Sequence, residues 1–187
     1  VGAVERQRLI DGKKITPGDA LVGVPSSGLH TNGYSLARRV AFDDGGLGHD
    51  SVIAELGTTI GEALLVPHRS YLPSIRPLLP TGMIKGMAHI TGGGITDNLP
   101  RIVPDGLHAV VDRASWTVPP VFRWLQARGS VPADEMYRTF NMGIGMIIAC
   151  APHHESAVLD ALGSAGEPGA VRVGTIGSGG EGVSYVG

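Results

Sequence analysis

Short apolar runs rich in β-branched residues recur along the chain, and between them apolar side chains fall three or four positions apart. Runs of the first kind are typical of buried strands, and the second spacing is typical of helices that bury one face. The runs predict strands at residues 1–5, 19–25, 83–90, 107–112, 142–150 and 170–176. The second spacing predicts helices at residues 32–42, 70–79, 96–102, 119–126 and 153–162.

The order of these elements indicates the fold class. Strands and helices alternate, which predicts an α+β fold with α/β-type layers, in which helices cover a mixed β-sheet. Prolines inside the second and third predicted helices indicate that both are broken or short. Asp11 and Gly12 predict a hairpin turn near the start. A length of 187 residues suits one compact domain and is short for two, so residues 1–187 are expected to form a single domain.

The composition of the chain limits which classes of function we expect. Apolar residues make up 42% of the chain and charged residues 17%, with a net charge of −2, which is typical of a globular protein. The basic residues are scattered, so we expect no nucleic acid partner, and no run approaches the about 18 apolar residues of a membrane span. The single cysteine, Cys150, ends an apolar run; it favours a core position and a cytoplasmic protein. The opening residues, without Met or a leader, favour a fragment.

The first of three glycine-rich junctions, SSGLHTNG at residues 26–33, follows a predicted strand and precedes a predicted helix. Backbone N–H groups at a helix start, with glycines that let an anion come close, favour phosphate binding. A capped turn explains the same residues, with Thr31 or Asn32 as the cap. His30 fits either interpretation, because an imidazole in a polar turn can hold phosphate or move a proton.

The second junction, HITGGGITDN at residues 89–98, joins a predicted strand to a helix that we expect Thr96 to cap. Three consecutive glycines cost conformational entropy on folding and let a ligand approach the backbone, so they favour a binding role. Their spacing is neither the dinucleotide fingerprint nor the lysine-containing phosphate loop.

The third junction, EMYRTFNMGIGM at residues 135–146, leads from a short helix end into a predicted strand. Arg138 and Asn141 could hold a phosphate or an amide group. Equally, Arg138 could pair with Glu135 on one helical turn, and the glycines could only make room for a neighbouring element. Both interpretations stay open at this point.

Other chemistry is not indicated by the spacing of residues. The seven histidines lack the patterns of known metal sites, so we predict no metal held by protein ligands. A G-x-S-x-G elbow is missing, which argues against nucleophilic hydrolysis. Trp116 and Trp124 are expected to be packing residues.

In this order the three strings resemble the C-terminal half of the phosphoribosylformylglycinamidine cyclo-ligase (AIR synthetase) family, and the likeness extends from the opening VGAVE to GTIG at residues 174–177. The resemblance implies an α+β half with partial ferredoxin-like topology. Thiamine-monophosphate kinase and selenide water dikinase are wider relatives with looser versions of the motifs. Two alternatives are therefore a phosphotransferase of that superfamily and a non-catalytic ligand-binding or assembly module.

The resemblance also implies a reaction. An ATP-dependent enzyme closes the ring of formylglycinamidine ribonucleotide to give aminoimidazole ribonucleotide in purine synthesis. ATP and Mg²⁺ are expected mainly on an N-terminal ATP-binding domain whose motifs these residues lack, and the full enzyme is expected to be a homodimer. This chain alone is therefore expected to be inactive.

The family signatures can be carried over residue by residue. They imply catalytic roles for His30 and Asn32. They imply substrate or phosphate binding by Ser26, Ser27, Gly28, Gly33, Thr91, Gly92, Gly93, Gly94, Asn98, Arg138 and Asn141. The family segment LL-x-P-T-R-x-Y matches residues 64–71, where His68 replaces the usual threonine while Arg69 and Tyr71 remain candidates.

Overall fold

The computed structural model describes residues 3–187. In that range the strands are β1 Ala20–Pro25, β2 Val52–Ile53, β3 Thr58–Thr59, β4 Ile84–His89, β5 Leu107–Asp112, β6 Ile144–Cys150, β7 Val171–Ser178 and β8 Val183–Val186. The α-helices are α1 Tyr34–Arg38, α2 Ile60–Leu64, α3 Leu72–Ile75, α4 Gly94–Asn98, α5 Pro120–Gly129, α6 Ala133–Thr139 and α7 Glu155–Ser164.

The main sheet has the strand order β4-β6-β1-β7-β5-β8, and β2 and β3 form a separate two-stranded ribbon. Neighbouring strands of the main sheet are antiparallel except β5 and β8, which are parallel. The predicted mixed sheet of an α+β fold is therefore confirmed. β1 and β4 are both antiparallel to β6, which lies between them. Their C-terminal ends therefore lie together at one end of the sheet, here called the sheet edge, beside the start of β6.

Side chains alternate across the sheet, so its two faces carry different cores. Leu21 of β1 packs on one face with Ile95 and Leu99, from α4 and the turn after it. Val22 packs on the other face with residues of α3 and α7. Cys150 lies on this second face, where burial raises the pKa of its thiol to about 11, as expected for a core cysteine.

A third apolar cluster lies among α1, α2, α5 and α6. The rings of Phe122 and Phe140 sit at its centre with centroids 5.7 Å apart. Trp116 and Trp124 pack against this cluster, which confirms them as packing residues. No helix within residues 3–187 combines the length and the apolar content that crossing a membrane requires.

Most predicted elements are present with shifted ends. Strands β1, β4, β5, β6 and β7 start and end within two residues of the predicted bounds. The first helix begins at Tyr34 instead of residue 32, because Gly33 adopts a left-handed φ of 78°, and it continues as a π-helix, Arg39–Asp43. The second shrinks to α3 and the third becomes α4 plus a 3₁₀ turn, Leu99–Ile102, as the internal prolines indicate.

Two predictions near the start are wrong. Residues 3–5 form no strand and lead into a 3₁₀ turn, Arg6–Arg8, while residues 1 and 2 lie outside the described range. The turn lies at residues 12–15, closed by the Ile15 N–H that donates to the Gly12 carbonyl oxygen, and within the described residues no strands flank it, so it is not a hairpin. Its glycine is required by a close approach, since a Cβ on Gly12 would lie 2.0 Å from the carbonyl oxygen of Ile102.

Candidate functional site

The three glycine-rich junctions meet at the edge where β1 and β4 end and β6 begins. The Ser26 N–H donates to the Gly143 carbonyl oxygen over 2.8 Å, and the Ile90 N–H donates to the Gly145 carbonyl oxygen over 2.9 Å. These bonds continue the β1–β6 and β4–β6 ladders into the loops. The strand order thus brings together segments that are far apart in the sequence.

Asn141 connects the first and third junctions through both ends of its buried amide. Its Oδ1 accepts from the Gly143 N–H at 2.8 Å and from the Ser26 hydroxyl at 2.9 Å. Its Nδ2 donates to the Gly28 carbonyl oxygen over 2.8 Å. Protein groups therefore occupy both acceptor positions of Oδ1 and one of the two Nδ2 hydrogens of Asn141, a predicted binding residue.

Asn32 connects the first and second junctions. Its Nδ2 donates to Thr91 Oγ1 over 2.8 Å, and its side chain is only partly buried. The prediction that Thr31 or Asn32 caps α1 is wrong: Gly33 holds the cap position, and no side chain bonds to the helix start. A Cβ on Gly33 would lie 2.2 Å from Phe140 Cε1, so this glycine also allows close packing.

Asn98 holds the triple-glycine loop from inside. It is buried, and its Nδ2 donates to the carbonyl oxygens of Gly92 at 3.0 Å and Gly94 at 2.8 Å. Gly94 has a packing role, since a Cβ there would lie 1.9 Å from the Tyr137 carbonyl oxygen. Gly92, by contrast, is exposed. Within residues 3–187 the backbone N–H groups of Gly92 and Gly93 donate to no protein acceptor.

The predicted cap of the second helix is wrong. Gly93, with φ 97°, precedes α4 in the cap position, and Thr96 lies within the helix. The Thr96 hydroxyl lies 2.8 Å from the hydroxyl of Tyr185 on β8. Thr96 therefore links α4 to the edge strand of the sheet.

His30 is buried and has a left-handed φ of 59°. Its Nε2 accepts from the Ser27 N–H over 3.1 Å, while its Nδ1 has no hydrogen-bond partner within the described residues. Burial, followed by the nearby charges of His68, His89 and Arg69, lowers its pKa to about 4. His30 is therefore an uncharged imidazole at neutral pH.

Residues 67–71 lie against the first junction. The Ser27 hydroxyl donates to the Pro67 carbonyl oxygen over 2.8 Å. Tyr71 Oη and Arg69 Nη1 donate to the Pro25 carbonyl oxygen over 2.9 and 3.2 Å. These bonds fix the segment to the end of β1.

A buried carboxylate anchors Arg69 from behind. Arg69 Nη2 lies 2.6 Å from Glu167 Oε2, and the Ser74 hydroxyl donates to Glu167 Oε1 over 2.7 Å. Glu167 is buried with a relative exposure of 3%. Glu167 was not predicted as a site residue, because it is 98 positions from Arg69 in the chain and no motif connects the two.

Arg138 follows Tyr137 on α6, whose carbonyl oxygen packs against Gly94 of the second junction. It is exposed on α6 and lines a cavity of about 370 Å³ together with Thr96 and Tyr185. The pair with Glu135, one of the two interpretations left open, is not formed within the described residues; Glu135 instead accepts from the Thr139 hydroxyl over 3.1 Å. Arg138 therefore lies near Thr96 of the second junction, although within residues 3–187 its side chain makes no hydrogen bond to the first or second junction.

A larger cleft opens beside the first and third junctions. It has a volume of about 570 Å³, and its lining includes Ser26, Gly143, Trp116 and Pro119. Clefts of this size hold small organic ligands in other proteins. The cleft lies at the same end of the sheet as the triple-glycine loop, but that loop is not among its lining residues.

The potential metal ligands at this edge are three histidines, His30, His68 and His89. Mg²⁺ prefers carboxylate and other oxygen ligands in octahedral geometry. The residues that the structure describes here therefore do not fit a Mg²⁺ site. His68 departs from the family pattern in the sequence, but its proximity to the other two histidines was not predicted.

Comparisons with a family model and with curated proteins point to the same family. The family model described as "AIR synthase related protein, C-terminal domain" matches residues 16–187. A phosphoribosylformylglycinamidine cyclo-ligase of Geobacillus kaustophilus is 45% identical over 100% of this chain and 54% of that protein. One of Myxococcus xanthus is 49% identical over 89% of this chain and 48% of that protein. The chain thus spans about half the length of the curated relatives it matches.

The fold is shared more widely. A crystal structure of thiamine-monophosphate kinase from Stenotrophomonas maltophilia aligns with a TM-score of 0.66 at 19% identity, covering 98% of this chain and 55% of that one. At this identity the likeness concerns the fold alone. With the family match over residues 16–187, the chain belongs to the AIR synthase related protein C-terminal domain family, in the branch of the phosphoribosylformylglycinamidine cyclo-ligases.

Proposed function

We propose that the chain is the substrate-side half of an ATP-dependent cyclo-ligase. The whole enzyme closes the imidazole ring of formylglycinamidine ribonucleotide and produces aminoimidazole ribonucleotide for purine synthesis. The observation that carries this proposal is the convergence of the three signature segments at one sheet edge, joined by the Asn32–Thr91 hydrogen bond of 2.8 Å. The identity of 45–49% with named cyclo-ligases supports it.

Donors and an acceptor lie side by side in the exposed part of this edge. The free N–H groups of Gly92 and Gly93 can donate to an oxygen of the substrate. Asn32 Oδ1 lies next to Gly92, since a Cβ on that glycine would come within 3.2 Å of it. This oxygen can accept an N–H of the substrate's amidine while the glycine donors stabilise charge on the amide oxygen. Such a pair orients the two groups that join during ring closure.

We assign His30 a positioning role. An uncharged imidazole does not attract phosphate by charge, and its Nε2 already accepts from the Ser27 N–H. His30 therefore holds the shape of residues 26–33, and contact with the substrate belongs to Asn32 and the glycine backbone.

Bound ATP supplies the phosphoryl group that activates the amide oxygen. We assign ATP and Mg²⁺ to an N-terminal ATP-binding domain, because the described residues of this edge do not fit the metal. Leu65 and Leu72, which flank residues 66–71, are 79% and 62% exposed. Exposed leucines of this kind favour a surface that the other domain covers in the whole enzyme. The same proposal includes a cytoplasmic homodimer as the whole enzyme and a chain that is inactive alone.

Product formation tests the proposed function. The 187-residue chain is assayed alone and fused behind the N-terminal half of the Geobacillus kaustophilus relative, with ATP, Mg²⁺ and formylglycinamidine ribonucleotide. We expect aminoimidazole ribonucleotide only from the fusion, and loss of turnover when the fusion carries Asn32→Ala. Turnover by the chain alone would contradict the assignment of ATP to the other half. A fusion whose two halves fold and bind ATP without any turnover would contradict the cyclo-ligase function.

A further inference from the structure

His30, His68 and His89 form a cluster at the candidate site, here called the three-histidine cluster. One ring nitrogen of each lies within 4.8 Å of those of the other two. We propose that this cluster binds a divalent transition metal ion of the zinc type. The proposal concerns the metal alone and does not depend on the cyclo-ligase function.

The spacing of the nitrogens is close to what such an ion needs. Nitrogens bound to a tetrahedral zinc ion at about 2.0–2.1 Å lie about 3.3 Å from one another. His68 Nε2 and His89 Nε2 are already 3.1 Å apart. The ring centroids of His30 and His68 are 3.9 Å apart. Because His68 and His89 are exposed while His30 is buried, small rotations of the two exposed side chains complete the set.

The hydrogen bonds of His68 place a lone pair on Nε2, the nitrogen that lies near His89 and would bind the metal. Its Nδ1 lies 2.7 Å from the Arg69 carbonyl oxygen, which can only accept, so Nδ1 carries the hydrogen. Nε2 of a neutral His68 then has the lone pair, which without a bound ion accepts from His89 Nε2 over 3.1 Å. A ligating histidine usually donates its other N–H to a carbonyl or carboxylate in this way, which fixes the ring orientation.

His30 links the metal to the first junction. A neutral imidazole carries one proton, and His30 Nε2 accepts from the Ser27 N–H. Ligation through Nε2 replaces that bond directly, whereas ligation through Nδ1 moves the proton to Nε2 and ends its acceptor role. In both cases metal binding releases the Ser27 N–H, so the ion alters residues 26–33 when it binds.

The ligand type selects the class of metal. Imidazole suits Zn²⁺, Cu²⁺, Ni²⁺ and Fe²⁺, whereas Mg²⁺ and Ca²⁺ prefer oxygen. Three protein ligands leave a fourth position for water or for a ligand atom, as in open zinc sites.

Cobalt spectroscopy tests the proposal with a metal that reports its own geometry. The 187-residue chain is titrated with Co²⁺ while visible absorption is recorded, and Zn²⁺ is then added as competitor. We expect one Co²⁺ per chain, a tetrahedral-type visible band and its loss on addition of Zn²⁺. Loss of a ligand should cost at least as much as loss of a hydrogen-bond partner of a ligand, so His68→Thr and His89→Gln should each weaken Co²⁺ binding by about tenfold or more.

A second histidine pair provides a matched control. His153 and His154 have ring centroids 4.1 Å apart and lie away from the three-histidine cluster at the start of α7. His154→Gln should leave Co²⁺ binding unchanged. Lack of a Co²⁺ band, unchanged affinity in both His68→Thr and His89→Gln, or an equal loss in His154→Gln would each overturn the proposal. Circular dichroism shows whether each variant is folded. If only one of His68→Thr and His89→Gln is folded, the Co²⁺ affinity of that variant decides the test.

Discussion

Asn32 Nδ2 donates to Thr91 Oγ1 over 2.8 Å and thereby joins two loops whose residues are 59 positions apart in the chain. The bond uses one end of the Asn32 amide and leaves its oxygen beside the exposed Gly92. Asn141, at the same sheet edge, is buried and uses both ends of its amide within the protein. Asn32 thus keeps its amide oxygen at the surface that we propose for the substrate, whereas Asn141 holds the loops together.

Asn32→Ala should reduce turnover of the whole enzyme much more than it reduces folding stability. The variant loses a partly exposed hydrogen bond worth about 0.5–1.5 kcal/mol, but it also loses the acceptor next to the glycine donors. Steady-state kinetics and urea unfolding measure the two effects. A variant that loses stability and turnover in proportion would show that Asn32 only supports the fold.

Asn141→Ala, in contrast, should act mainly by reducing folding stability. Removal of the amide leaves the Gly143 N–H and the Gly28 carbonyl oxygen buried without their partner, at about 1–3 kcal/mol for each group. Urea unfolding should therefore show a larger loss than for Asn32→Ala. Equal stability of the two variants would contradict the structural role of Asn141.

Gly92→Ala tests the approach of a ligand to the triple-glycine loop. Gly92 is exposed and lacks the left-handed φ of Gly93 and Gly94, so the methyl group is compatible with the fold and needs only a small shift of Asn32 Oδ1. We expect folding stability within about 1 kcal/mol of wild type and substrate binding reduced by tenfold or more.

Gly163→Ala is the matched control for that variant. It lies within α7, its added Cβ would meet no atom within 4 Å, and alanine is the better helix former by about 1 kcal/mol. This change should raise stability and leave substrate binding unchanged. Normal binding by Gly92→Ala would remove the backbone donors from the proposed site.

Glu167→Gln should lower the free energy of unfolding by about 1.5–3 kcal/mol, the usual value of a hydrogen bond to a charged group. Glu167 is buried and pairs with Arg69, which itself bonds to the end of β1. Glu155→Gln is the control, since it removes a more exposed pair with Arg172 and should cost at most about 1 kcal/mol. Urea unfolding that ranks the two variants in reverse order would contradict the anchoring role of Glu167.

His30 should make stability fall in mild acid. Its pKa is about 4 in the folded chain and 6.5 as the reference for an unfolded one. Below pH 6.5 the unfolded state takes up the proton first, so stability is lost as the pH falls towards 4, by on the order of 3 kcal/mol in total. His30→Asn, which tolerates the left-handed backbone, should lose less stability over this window in urea unfolding. Identical pH profiles would contradict an uncharged, buried His30.

The strands could be predicted from the sequence because their signal is local. β1 and β6 are runs of apolar residues buried on both faces of the sheet, which a reading of the chain detects directly. β8 was missed since it is only Val183–Val186, a half-buried edge strand after a glycine-rich turn. α2 was missed because it has five residues, one of them glycine.

The site could be predicted only in part. The resemblance identified the loops at residues 26–33 and 91–94, and the strand order explains why they meet. The cap assignments at Asn32 and Thr96 were wrong, because these side chains make tertiary contacts that local spacing does not encode. The three-histidine cluster was missed for the same reason: its members come from two loops and the end of a strand, without a motif spacing.

Calorimetric titration with formylglycinamidine ribonucleotide tests the central claim most directly, that the joined loops form the substrate surface. The 187-residue chain is compared with its Asn32→Ala and Gly92→Ala variants under identical conditions. We predict binding at one site by the unaltered chain and an affinity at least tenfold lower in each variant. Equal affinity of all three proteins, or no binding by any of them, would contradict the claim.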